Sequence, residues 1–130
     1  MSYEAILNVR NYLISASTVT SQVGSNAIRA GWPKELDTFP TILLSQSSGI
    51  DTGLLGYHHG GLRREEVSIQ VDIFSKETRK EVLDIGDAIV PVIISSMSAK
   101  KTADQDMYDN DLGVYRKMQT YSFTMEHDDF

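Results

Sequence analysis

A chain of 130 residues, 41% hydrophobic and 23% charged, has the size and make-up of one globular domain with a single core. It contains no cysteine, which excludes disulfides and thiolate-bound metals and leaves stability to packing or to neighbouring subunits. The formal net charge of −6 at pH 7 opposes polyphosphate and lacks the basic footprint of a nucleic-acid binder.

Met1–Glu4 has no basic signal-peptide segment, and the longest apolar run, Ala88–Ile94, falls short of the ~20 residues that span a bilayer. Folding in a cytoplasm without membrane contact is the expectation. From Glu4 to Ile14, Ile6, Val9 and Leu13 recur at helical spacing, with Leu7 and Ile14 widening the stripe, which predicts an amphipathic first helix. Hydroxyls at Ser15, Ser17 and Thr18 offer caps for a second, shorter helix over Ser17–Val23, closed by Gly24. Ile28–Pro33 reads as a short edge strand ended by proline, and Phe39–Gln46 as a strand with apolar contact on both faces.

Between Ser47 and Gly61 lie Gly49, Gly53, Gly56, Gly60 and Gly61, interleaved with Leu54, Leu55 and Tyr57. This reads as a long loop of the length that carries function, with apolar residues that a neighbour would cover. The segment Gly60–Phe74 then enters a strand with Val67, Ile69, Val71 and Ile73 on one face and Ser68, Gln70 and Asp72 on the other. Lys80–Met97 carries Val82, Ile85, Ile89, Ile93 and Met97 at helical spacing, and Pro91 predicts a kink or a division into two pieces. Ser98–Asp111 reads as a polar, acidic hairpin connection. Leu112–Met125 alternates again, with Lys117 and Gln119 interrupting the apolar face, so its start is expected to be less buried than its end. Glu126–Phe130 reads as a tail. The order of elements gives an α+β class, a single domain with an antiparallel or mixed sheet packed against two main helices.

Chemical motifs mostly fail. No glycine-rich phosphate loop or dinucleotide fingerprint is present, which disfavours nucleotide binding. His58 and His59 are adjacent, so their side chains diverge in extended structure, and no second cluster with ligand spacing joins them. Asp104, Asp106, Asp109 and Asp111 depart from a calcium loop, because Tyr108 stands at the fifth position and Asp109 where glycine is needed. No serine sits in a nucleophile elbow, and Glu65 and Glu66 point to opposite faces of a strand. Catalytic residues, cofactor and metal are therefore all expected to be none. Trp32 and Tyr57 are candidate partner anchors or core aromatics.

The run of elements resembles the tail completion or tail terminator proteins of long-tailed phages. The resemblance lies in the amphipathic first helix, the short helix ending in Val23-Gly24, Ile28-Arg29-Ala30-Gly31, the strand Phe39–Leu44, and Gly61-Leu62-Arg63-Arg64 before an alternating strand and helix. It extends to about Met125, with Pro91 a departure from the pattern. It implies a virion structural protein of the head–tail junction that assembles with itself as a ring, typically of six copies. That ring caps the tail tube protein, stops its polymerisation, and meets a head–tail connector or neck protein. Six copies would carry six times the −6 charge, so DNA would slide through the lumen without specific binding. Docking is expected at Leu54, Leu55, Tyr57, His58, Leu62, Arg63 and Arg64, and secondarily at Asp104, Asp106, Tyr108 and Asp109. Two other functions stand beside this one: a connector adaptor on the portal side, and a small ligand-binding or hydrolase domain.

Overall fold

The computed structural model describes residues 2–31, 39–54, 62–111 and 113–128. The predicted first helix forms as α1 (Ser2–Ser15), burying Ala5, Ile6, Val9 and Leu13, while Leu7 lies on the exposed side. The second is shorter than predicted. Helix α2 (Ser17–Thr20) has Ala16 at its N-cap with no side-chain cap, and a turn carries the chain to Val23. Ser15 does not cap it; its hydroxyl donates back to the Asn11 carbonyl at 2.9 Å. A 3-10 turn over Ser25–Ala27 then feeds β1 (Ile28–Ala30).

Four longer strands follow: β2 (Thr41–Leu54), β3 (Leu62–Ser75), β4 (Lys100–Asp109) and β5 (Val114–Asp128), with α3 (Arg79–Met97) between β3 and β4. The sheet has the order β1-β2-β3-β5-β4, with β1 parallel to β2 and all other pairs antiparallel. The fold is thus α+β, one mixed sheet with α1 and α3 on one face. Arg10 ties the layers at the parallel edge, its Nε donating to the Ile28 carbonyl at 2.8 Å, and Thr41 donates to the Ala27 carbonyl at 2.8 Å.

The main core lies between helices and sheet. It joins Ile6, Val9, Leu13, Val82, Ile85, Ile89 and Ile93 to Ile42, Leu44, Val67, Ile69, Val71, Ile73, Tyr121 and Phe123. Full burial of each such aliphatic side chain contributes roughly 1.5–3 kcal/mol. The run in β2 is buried on both faces, as its continuity predicts, because Leu43 joins Phe74 and Val114 in a second cluster on the opposite face, with Phe39 packed against it. On that face Asp72 is fully buried and accepts from Arg116 Nη2 at 2.8 Å and from Gln70 Nε2 at 2.9 Å. The Arg116 guanidinium also lies 5.4 Å from the centre of the Phe74 ring.

Several expectations are corrected. Pro91 does not divide α3, which is continuous through it; the residue is exposed, on a side where the ring meets no packed layer. Thr78 supplies the N-cap, accepting from the Glu81 N–H at 3.2 Å, and Ser98 ends the helix in the left-handed region at φ 51°. The acidic connection is largely strand, since Lys100–Asp109 pairs with β5 and the turn back begins only after Asp109. Glu126–Asp128, expected in a tail, are strand as well, for β5 runs to Asp128 opposite Leu62.

Candidate assembly surface

Of the loop predicted between Ser47 and Gly61, the described part, Ser47–Leu54, is strand, and with the start of β3 it forms an arm of the sheet. Strand β2 continues to Leu54, opposite Arg63, and β3 starts at Leu62. Register shifts between Gln46 and Ser48 and between Asp51 and Leu54 mark bulges that bend the arm. The end of β5 backs it, with Leu62 opposite Asp128, Arg63 opposite His127 and Arg64 opposite Glu126. Leu54, Leu62, Arg63 and Arg64 are therefore gathered at one end of the sheet on paired backbone. Leu55, Tyr57 and His58 lie outside the described residues.

Asp104, Asp106, Tyr108 and Asp109 occupy the opposite edge. Their strand, β4, is exposed from Lys100 to Tyr108, yet its carboxylates are engaged. Asp104 accepts from Lys101 and Lys117, each at 2.8 Å, and Asp106 from Arg79 at 2.9 Å, with Lys117 Nζ at 3.5 Å. Asp109 accepts from the Asp111 N–H at 3.0 Å in the turn, and the Tyr108 ring, half-exposed, meets Tyr115 edge-on at 5.0 Å. Tyr108 pairs with Tyr115 and Tyr115 with Ser75, at the end of the sheet remote from the arm. The two predicted docking regions do not converge.

Behind β4 the sequence conceals a buried polar cluster. Lys117 and Gln119, expected at a weakly buried strand start, are 7% and 0% exposed on the helix side of the sheet. Glycine at 86 makes this possible: a Cβ there would stand 2.7 Å from Lys117 Cε and 3.0 Å from Gln119 Nε2. Gln119 Oε1 accepts from the Tyr121 hydroxyl at 2.7 Å. Burial works to raise the Asp104 carboxyl, but hydrogen bonds from Lys101 and Lys117 and their charges outweigh it and hold Asp104 below the usual carboxylate value. Burial likewise works to lower Lys117, and Asp104 and Asp106 reverse the sign and raise it. Burial, aided by the Asp104 charge, pushes the Tyr121 hydroxyl well up. The signal that could have found this cluster is the helical glycine, a residue that costs stability unless something fills its place.

Two shallow clefts flank the start of α3. One, of about 350 Å³, is lined by Ser21, Gln22, Thr78, Lys80, Glu81 and Asp84, of which Lys80 and Asp84 pair with each other at 2.9 Å. Among the described residues no group of three or more His, Asp or Glu is placed to hold a metal, and no helix is long and apolar enough to cross a membrane.

The sheet, its one-sided helix layer and its long hairpin define a small α+β domain with two strand edges. No family model and no curated protein matches the sequence. In structure the chain is similar to one from the virion of a native gene transfer agent particle, with a TM-score of 0.78 and 9% identity, covering 93% of each chain. At that identity the likeness is one of fold.

Proposed function

We propose that this chain is a non-enzymatic virion structural protein that caps the head-proximal end of a phage tail tube as a ring, ending tube growth and joining tail to head. The observation that carries the reading is the fold shared over nearly the whole of both chains with a component of a virion particle. The order of sequence elements that resembles tail terminators points the same way, as does the placement of Leu54, Leu62, Arg63 and Arg64 at the end of the sheet that runs on past β1 and β4.

Purified protein mixed with tail tubes tests this. One end of each tube is expected to carry a ring, and tube extension by added tube protein is expected to stop at that end. Binding to portal complexes with none to tubes would replace the reading by the connector one. A solitary species that ignores both and turns over a small molecule would overturn it.

A further inference from the structure

We propose that the outer edge of β4 takes the outer edge of β2 from a second copy of this chain, so that the sheets of adjacent subunits run on into one another. The inference rests on the ring reading above and names the contact that would close such a ring.

Among the described residues the sheet has two open edges. Strand β4 has β5 on one side, and its residues from Lys100 to Tyr108 are exposed. Strand β1 covers β2 only from Ile42 to Leu44, and among the described residues no strand pairs with the outer side of β2 from Ser45 to Leu54. Unpaired edges are templates for another chain.

Charge decides which edges meet. A two-fold pairing of β4 with itself would keep like faces together, and Asp104 and Asp106 share the face of Lys117. In the registers centred on Asp104 or Gln105, where β4 is overlapped over most of its acidic half, such pairing sets Asp104 against Asp104 or Asp106 of the other copy, which like charges oppose. The edge of β2 from Ser45 to Leu54 contains a single charged residue, Asp51. The register that puts Asp51 across from Lys101 sets Gly49 near Asp104 and Ser48 near Gln105, and it keeps the face alternation of both strands once the shift after Lys101 is counted.

Direction and offset agree. Strands β2 and β5 run one way, β3 and β4 the other, so copies pointing the same way around a ring bring β4 to β2 antiparallel. Within one sheet Gln105 is level with Leu43, through Met118 and Asp72. Moving from Leu43 to Ser48 is an offset of roughly 16 Å at strand rise, set against about 19 Å across the repeat of β2, β3, β5 and β4. That is a strand tilt of about 40°, within the range in closed barrels.

Because the chain has no cysteine, introduced thiols report alone. Ser48→Cys and Gln105→Cys in one chain, treated with a short bis-maleimide, are expected to give a ladder of covalent multimers. Mixed single variants are expected to stop at dimers, and each single variant alone to give none. Independently, Lys101→Glu is expected to raise the concentration for half-assembly about tenfold, and adding Asp51→Lys to restore it. Rings seen by electron microscopy without a ladder or charge-swap rescue would overturn the edge contact and leave the ring reading standing. Dimers from Gln105→Cys alone would overturn it in favour of β4 self-pairing. A monomer by light scattering at every concentration would remove both.

Discussion

Gly86 shows how one missing side chain organises a site. Alanine there gains about 1 kcal/mol of helix propensity, but its Cβ would overlap Lys117 Cε and crowd Gln119, and overpacking costs about 1–3 kcal/mol. Gly86→Ala is expected to be net destabilising, by roughly 1 kcal/mol in urea unfolding. The Asp104 carboxyl, held below its unfolded value, contributes stability that is present above the unfolded pKa and lost as pH falls through the folded one. Lys117, raised, contributes stability that is complete below its unfolded pKa and lost as pH rises through the folded one. Acid titration of the unfolding midpoint is therefore expected to fall below about pH 4, less steeply in Asp104→Asn. On the other face, Arg116→Met leaves the buried Asp72 without its guanidinium and is expected to cost about 3 kcal/mol. Asp72→Leu combined with it should recover much of that loss, a coupling that a double-mutant cycle measures.

At the scale of elements, strands with a buried face announce themselves. Val67, Ile69, Val71 and Ile73 alternate because one side meets the helices, and β3 was legible for that reason. Strand β4 was not, since an exposed edge has no dry face to write apolar residues into every second position. Lys117 and Gln119 misled in the opposite sense: polarity reports what a side chain is, whereas its burial depends on partners from β4 and α3 that lie far away in sequence. The arm was legible as a region rich in glycine but not as strand, because the order of Ser48–Leu54 comes from pairing with β3, which is itself backed by β5 from more than fifty residues on. The docking residues remain expectations of the sequence, placed by register for Leu54, Leu62, Arg63 and Arg64. At the end of α3, Ser98 adopts φ 51°, which glycine takes without strain. Ser98→Gly is expected to stabilise the chain by up to about 1 kcal/mol in thermal unfolding.

For the molecule as a whole, a net charge of −6 disfavours polyanion retention, and a ring of the kind proposed would multiply the effect. In 0.1 M salt the assembled protein is expected to leave duplex DNA unretained in a filter-binding assay, and tight retention would contradict a lumen through which DNA slides. The arm bears on the mechanics of such a junction. Its middle strand, β3, is laced to β2 on one side and β5 on the other over most of its length, with neighbours running opposite to it. A pull along β3 at the tip therefore loads both ladders in shear, where many bonds must yield together instead of peeling apart one after another. Tension arriving at that end would be passed through both ladders into the body of the domain.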